Sequence, residues 1–214
     1  MGKRGILTVI SGFSGAGKGT LMKAILEKYD YGLSISATTR APREGEVNGR
    51  EYYFLSKQEF EDMIANQALI EWAQYVDNYY GTPKKYVEEQ LAAGKNVILE
   101  IEIQGALHVK ELFPDALLIF VTPPSAMDLK NRLVGRGTED MATIEKRLKR
   151  AYEESAYMDQ YDYIAINDVL EDCVEDLNQV ITQAATILEA GGKFAVEQDF
   201  TQLISKIQKE LKEL

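Results

Sequence analysis

Cysteine is nearly absent: Cys173 is the single one among 214 residues. One thiol cannot close an intrachain disulfide, so a disulfide-stapled fold is excluded and a reducing, cytoplasmic setting is expected. Cys173 itself reads as a small apolar residue on a helix. Long apolar runs are lacking as well. None approaches the roughly 20 residues of a membrane span, and no charged start precedes an apolar leader, so no membrane partner is expected. Basic charge is in deficit. Lys and Arg number 24 against 34 Asp and Glu, for a net charge of -10. That argues against a nucleic-acid-binding face, whose affinity comes from neutralising phosphates. A phosphate site in this chain must be built from locally concentrated arginines. Internal repeats and low-complexity tracts are missing too. What is present is 45% apolar and 27% charged, the balance of an ordinary globular protein with room for one large core and inserted segments.

The stretch Ile6–Thr20, ILTVISGFSGAGKGT, carries the most information. Ile6–Ile10 is apolar and β-branched and reads as a fully buried strand. Gly12, Phe13, Ser14, Gly15, Ala16, Gly17, Lys18, Gly19 and Thr20 follow, and Leu21–Tyr29 reads as a helix. The glycines let the backbone turn tightly and gather N–H groups into a nest at a helix N-terminus, where anionic charge is favoured. Lys18 adds a full positive charge where a polyphosphate would lie. G-x-x-x-x-G-K between a strand and a helix is the pattern of a phosphate-binding loop. Gly19 follows the lysine in place of Ser or Thr, so the usual Mg²⁺-ligating hydroxyl is displaced to Thr20 or absent.

Further along, Leu33–Thr38 alternates as a half-buried strand, Thr39–Gly49 is a loop, and Tyr52–Phe54 is a short aromatic strand. Ser56-Lys57-Gln58-Glu59 is a capping box that opens a helix to about Asn66. Leu69–Val76 reads as a strand and Asp77–Gly81 as a turn; Thr82 then caps a helix with Pro83 at its first position and Gly94 just past its end. Val97–Ile103, Leu117–Val121 and Tyr163–Ile166 are buried strands. A helix opens at Ser125, breaks at Gly135–Gly137 and resumes from Asp140 to Met158; another runs to about Ala190. The last helix carries Phe200, Leu203, Ile204, Ile207 and Leu211 in one stripe, docked on its own core or on a second subunit. Buried strands alternating with helices predict a three-layer α/β fold: a parallel sheet with helices on both faces. Residues 1–33, 82–125 and 158–214 form that core, 34–81 an inserted small mixed β lobe and 126–157 a helical lid.

Ligands in such sheets sit at the carboxyl ends of the strands. The glycine loop, Glu100 and Glu102, and Asn167-Asp168 all fall there. A strand acid beside a phosphate loop can support Mg²⁺ through water, and Glu100 and Glu102, two apart on an expected strand, point to one side. A second group is Ser36, Arg40, Arg43, Tyr52, Glu71, Tyr80 and Thr82. Two arginines three apart in a glycine-rich loop suit a phosphate, or are solvated loop charge. Glu71, in an apolar-aromatic strand, needs a donor partner: the adjacent N–H donors of guanine's Watson–Crick edge, or a salt bridge. A third group is Arg132, Arg136, Arg147 and Arg150, with Arg132 and Arg136 four apart on one helical face. Arginines from a mobile segment clamp a transferring phosphoryl group; Arg150 reads better as a solvated residue paired with Glu153 and Glu154.

The order GFSGAGKGT, SISATTRAPREGEVNGREYYF, EWAQYVDNYYGTP, ILEIEIQG, LKNRLVGRGTED and KRL resembles the guanylate kinase family over about residues 5–168. The resemblance implies transfer of the γ-phosphoryl group of ATP to GMP, giving ADP and GDP, with Mg²⁺ held mainly by nucleotide phosphates and waters. It implies ATP contacts from Gly12 through Thr20 and from Arg132 and Asn167, with Lys18, Arg43, Arg136 and Arg147 acting on the transferring group. It implies GMP-phosphate contacts at Ser36, Arg40, Arg43, Tyr52 and Tyr80 and guanine contacts at Glu71, Thr82 and Glu102. ATP and GMP are then the partners, on a monomer or homodimer. Phe13 stands where the family usually has proline, which should be a neutral packing change; Thr82 replaces a common serine, and Glu102 a common aspartate. A catalytically silent guanylate-kinase-like module would lose the loop lysine or glycines, and both are intact. A kinase for another monophosphate is opposed by Glu71, since adenine presents a bare acceptor at N1.

Overall fold

β1 (Leu7–Gly12) is the middle strand of a parallel five-stranded sheet and is buried through Ser11. In this computed structural model, residues 4–75, 77–135, 137, 139–195 and 198–214 are described, Tyr75 by its backbone alone. On one side β1 pairs with β7 (Val97–Glu100), which pairs in turn with β2 (Gly32–Leu33). On the other side it pairs with β8 (Leu117–Thr122), which carries β9 (Tyr163–Ile166). Apolar β-branched runs suit these strands because both faces are covered. α1 (Lys18–Lys28) and α7 (Leu170–Glu189) pack on each other and reach β1 and β9; α3 (Lys84–Ala92) and α4 (Ile103–Leu112) lie against β7, β1 and β8. This is the expected three-layer α/β fold. Among the described residues no helix is long and apolar enough to cross a membrane.

A second, mixed sheet has the order β4 (Tyr53–Phe54), β3 (Ala37–Thr38), β6 (Asn78–Pro83), β5 (Leu69–Tyr75). α2 (Lys57–Ala65) joins β4 to β5 and begins with the expected capping box, in which Ser56 and Glu59 satisfy each other's backbone N–H groups. Ser125 and Asp140 likewise cap α5 (Ala126–Val134) and α6 (Met141–Ser155) through their side chains. Gly94, at φ 83, ends the turn after α3 as expected.

Several expected elements are redrawn. Leu33–Thr38 is not one strand. Gly32 N and Ser34 N donate to Asn96 O and Ile98 O in the first sheet, whereas Ala37 and Thr38 pair with Gly81 and Tyr80 in the second. Period-2 alternation shows that a segment is extended but not which neighbour it joins. Asp77–Gly81 is largely strand: Tyr79 and Tyr80 face Gln74 and Ala73 across β5, with Tyr79 stacked on Phe60 at 5.3 Å. Cross-strand aromatic packing outweighs the turn propensity of Asn and Gly. Thr82 does not cap α3, whose N-cap is Pro83; the Thr82 side chain is fully buried and turned inward. β7 stops at Glu100, and the expected strand to Ile103 gives way to α4, so strand alternation does not place Glu102 on the side of Glu100. α6 ends at Ser155, and Met158 belongs to a following 3₁₀ turn, Met158–Gln160.

The last helix, α8 (Thr201–Glu213), docks on its own protein. Ile207 and Leu211 are buried in the main core, and Phe200 sits edge-on to Tyr163 at 5.5 Å. Polar contacts fix its position: Ala126 N donates to Glu210 Oε2 at 2.9 Å and Gln208 Nε2 to Ser155 O at 3.1 Å. The apolar stripe is therefore covered from within the chain. Ile207→Ala should lower unfolding free energy by ~2–5 kcal/mol, as expected for a buried Ile truncated to Ala. Urea titration reads this directly, and a loss below ~1 kcal/mol would mean α8 contributes little to the core.

Candidate active site

The glycine loop is held against the sheet at its start. Gly12 has φ 145, and a Cβ there would lie 2.1 Å from Val121 O, so only glycine fits between β1 and β8. Phe13 then turns inward. Its ring is 1% exposed and meets Phe120 edge-on at 4.9 Å, and Phe120 meets Tyr161 at 5.2 Å. The substitution expected to be neutral packing is thus a buried aromatic anchor for the loop. Lys18 Nζ donates to Gly12 O at 2.7 Å and to Phe13 O at 3.1 Å, so the ammonium lies within the curl of the loop. Gly15 and Ala16 are buried, and Ser14 points outward.

Two side chains hold the far side of the loop through one carbonyl. Ala16 O accepts from Arg132 Nη1 at 3.2 Å and from Asn167 Nδ2 at 2.9 Å. Arg132 Nη2 donates onward to Asn167 O at 2.7 Å. Gly17, at φ 90, leaves the space for Asn167: a Cβ would stand 2.6 Å from Asn167 Nδ2. Gly19 is different. It lies in the first turn of α1, its added Cβ would meet nothing within 4 Å, and neighbouring Thr20 is exposed.

Arg147 reaches the loop from α6. Its Nη1 donates to Ser14 Oγ at 2.8 Å and its Nη2 pairs with Glu139. Arg136 lies outside the described residues, and the expected placement of Arg132 and Arg136 on one helical face lies outside them with it. Arg150 bridges two elements, donating to Glu154 at 2.7 Å and to Glu102 at 2.9 Å. Glu154 was expected as its partner; Glu102, exposed at the start of α4, was not.

In the second sheet the residues form two groups. Arg40 lies over the Tyr52 ring at 5.4 Å and the Phe54 ring at 5.7 Å and donates to Glu46 Oε1 at 3.0 Å. The other oxygen of Glu46 accepts from Arg43 N at 2.7 Å, so one carboxylate shapes the whole arginine loop. Glu46 was missed from sequence, although its spacing of six and three residues from the arginines was a usable signal. Tyr52 and Tyr80 meet edge-on at 6.1 Å, and burial pushes the Tyr52 phenol up. Ser36 is half-buried, its carbonyl accepting from Tyr53 N, and the Arg43 side chain is exposed.

The other group is Glu71 with Thr82. Glu71 is 6% exposed, and Thr82 Oγ1 donates to its Oε1 at 2.6 Å. Burial pushes the Glu71 carboxyl above the usual range, opposed by the Thr82 hydrogen bond and by the His108 charge. Glu100 links the two halves of the site. The residue is exposed, yet the protein around its carboxyl raises the pKa by desolvation while the Lys18 ammonium pulls it down. The same carboxylate acts on the Tyr52 phenol. Glu100, at the carboxyl end of β7, thus feels the charge of the phosphate-loop lysine and acts in turn on the aromatic-arginine group. An anion nest suits a polyphosphate, and a buried carboxylate suits a ligand that brings hydrogen-bond donors.

The folded protein holds the Glu71 proton more tightly than the unfolded chain does. Glu71 therefore favours folding below its unfolded pKa and loses that contribution as pH rises through the raised folded value. Where it is ionised, the buried carboxylate opposes folding. Glu71→Gln keeps an oxygen for the Thr82 hydroxyl and removes the buried charge. The variant should melt higher than the parent at about pH 7.5, with the difference shrinking toward about pH 4.5. Calorimetry across that range checks the sign, and a lower melting point for the variant at the upper end would refute it.

The model of the family described as guanylate kinase matches residues 4–184. The guanylate kinase of Bacillus subtilis is 54% identical over 183 residues, covering 85% of this chain and 90% of that protein. The guanylate kinase of Latilactobacillus sakei is 51% identical over the same length, with 85% and 90% coverage. Among solved structures, the crystal structure of guanylate kinase from Anaplasma phagocytophilum superposes with a TM-score of 0.69 at 30% identity, covering 86% of this chain and 87% of that one. A family match across 4–184, relatives above half identity and a shared fold agree with the loop and lobe just described: the chain belongs to the guanylate kinase family.

Proposed function

We infer that this chain is an ATP:GMP phosphotransferase that moves the γ-phosphoryl group of ATP to GMP, giving ADP and GDP. The observation that carries the reading is a buried carboxylate, Glu71, held by Thr82 in a sheet separate from the one that carries the phosphate loop. Guanine offers N1–H and N2–H to such a carboxylate, and the Thr82 hydroxyl is placed beside it; adenine's N1 is an acceptor and would meet negative charge. A site that leaves buried polar groups unmatched rejects the wrong base strongly. Glu102, paired with Arg150, is assigned a supporting contact to the base. Ser36, Arg40, Arg43, Tyr52 and Tyr80 are assigned to the GMP phosphate, with Glu46 keeping the arginines in place.

Gly12 through Thr20 cradle the ATP phosphates, and Lys18 is assigned to the β- and γ-phosphates. Arg132 and Asn167 border the ATP side through Ala16 O. Arg43, Arg136 and Arg147 take up charge on the transferring group. Residues 34–81 serve as the GMP lobe, 126–157 as the lid, and 1–33, 82–125 and 158–214 as the core. Phosphoryl transfer between bound nucleotides requires exclusion of water, which the lid is placed to provide. The reading goes with a cytoplasmic location.

Mg²⁺ fits this donor set. Among the described residues no group of three His, Cys, Asp or Glu side chains could hold a metal. The site offers Thr20 and Glu100, and Mg²⁺ commonly keeps its waters and binds through substrate phosphates and one or two carboxylates. Bound with ATP, it would neutralise phosphate charge; Glu100 would orient one of its waters.

A coupled assay of ADP formation with GMP, AMP, CMP and UMP tests the activity, with turnover expected on GMP far above the others; equal turnover on AMP would overturn it. Lys18→Ala should lower kcat by ~10²-fold or more with melting temperature preserved. Glu71→Gln should lower kcat/KM for GMP strongly and narrow the GMP-to-AMP ratio while leaving KM for ATP near the parent value. Unchanged GMP efficiency and AMP rejection in that variant would move base reading elsewhere.

A further inference from the structure

Gly105 lies in the first turn of α4, and its backbone is not in the left-handed region. A helix there would favour alanine over glycine, so backbone conformation gives no reason for glycine. Space does. A Cβ on residue 105 would stand 2.9 Å from Glu71 Oε2, 3.4 Å from Glu71 Cδ and 3.4 Å from Ile101 Cδ1. The other carboxylate oxygen is held by Thr82 at 2.6 Å. The Glu71 carboxylate is thus gripped between a hydroxyl on one strand and the bare backbone of a helix.

We infer that Gly105 is a positioning residue for base selection: lacking a side chain, it lets the Glu71 carboxylate lie against α4 in the place from which it meets the purine. The inference rests on the reading of Glu71 as the guanine-binding group. A methyl group at 105 would collide with the movable end of a side chain, not with backbone, so the fold can absorb it by displacing the carboxylate. That displacement weakens or breaks the Thr82 bond and misaligns the oxygens with the base. Shifts of well under 1 Å at a recognition group are enough to matter. Ala106, next to it, is fully buried and shows that this turn packs methyl groups where the neighbours allow.

The test is a cycle on the full chain: Gly105→Ala, Glu71→Asp, the pair together, and Glu71→Gln. Gly105→Ala should melt at or above the parent temperature, because of helix propensity. It should lower kcat/KM for GMP about tenfold or more, chiefly through KM, narrow the GMP-to-AMP ratio, and leave KM for ATP unchanged. Aspartate at 71 draws the carboxylate back from α4, so adding Gly105→Ala to that variant should cost less than about threefold. An equal cost in both backgrounds would show that residue 105 does not act through Glu71. Full GMP efficiency in Gly105→Ala, with Glu71→Gln impaired, would overturn the inference and leave the base-reading role of Glu71 standing. If Glu71→Gln is itself unimpaired, the reading of Glu71 fails and this inference fails with it.

Discussion

Everything at the site depends on how the phosphate loop is seated on the sheet. A loop that turns its N–H groups toward an anion has few backbone bonds of its own to hold it. Here three contacts do so: Gly12 against the carbonyl of Val121, Phe13 in the aromatic cluster with Phe120, and Ala16 O shared by Arg132 and Asn167. The first two come from β8 and the third from the segments after β8 and β9. The parallel sheet brings those carboxyl ends together, so the order of strands is what makes the loop rigid. A preformed nest spares reorganisation when the phosphates arrive.

Recognition of the base, on the reading proposed for Glu71, is organised on the opposite principle. The phosphate loop is stabilised by its surroundings, whereas Glu71 is disfavoured by its own, since burial raises its pKa and, among the described residues, the Thr82 hydroxyl is the one hydrogen-bond donor on its oxygens. On that reading a carboxylate short of donors is poised for a ligand that supplies two. This is the familiar opposition between stability and function at binding sites, where a local rule is broken for a purpose. Glu100 is milder in kind: it is raised by its surroundings but eased by Lys18, which ties its charge to the phosphate side of the cleft.

The long-period features were legible in the sequence. Buried runs at Ile6, Val97, Leu117 and Tyr163 became four of the five strands of the main sheet, because strong apolar patterning leaves little choice of environment. The capping box at Ser56 was legible because it is satisfied locally, and the phosphate loop because its glycines and lysine follow a fixed spacing between a strand and a helix. What escaped was set by partners distant in the chain. Leu33–Thr38 splits between two sheets because Ile98 and Tyr80 compete for it from opposite sides. Thr82 looks like a helix cap until Glu71, eleven residues earlier, claims its hydroxyl. Glu102 looks like a strand acid until Arg150 draws it to the lid side. Polar side chains with two plausible partners are decided by tertiary geometry, and no spacing rule ranks the alternatives.

α8 extends this argument to the 126–157 segment. It lies beyond the stretch matched by the family, yet it binds the segment that carries Arg132 and Arg147. Its contacts fall on Ala126, at the start of α5, and on Ser155, at the end of α6. Those two residues are the root of the 126–157 segment. The opposite end, around Gly135 and Asp140, meets the phosphate loop through Arg147 on Ser14, with Glu139 as the other partner of that arginine. Between these ends the segment also holds the loop from α5, where Leu129 and Leu133 pack beside Gly15 and Arg132 donates to Ala16 O. The buried face of α6, Ile144, Leu148 and Ala151, is packed in the core. α8 thus braces both ends of the 126–157 segment, which carries two of the side chains that meet the phosphate loop.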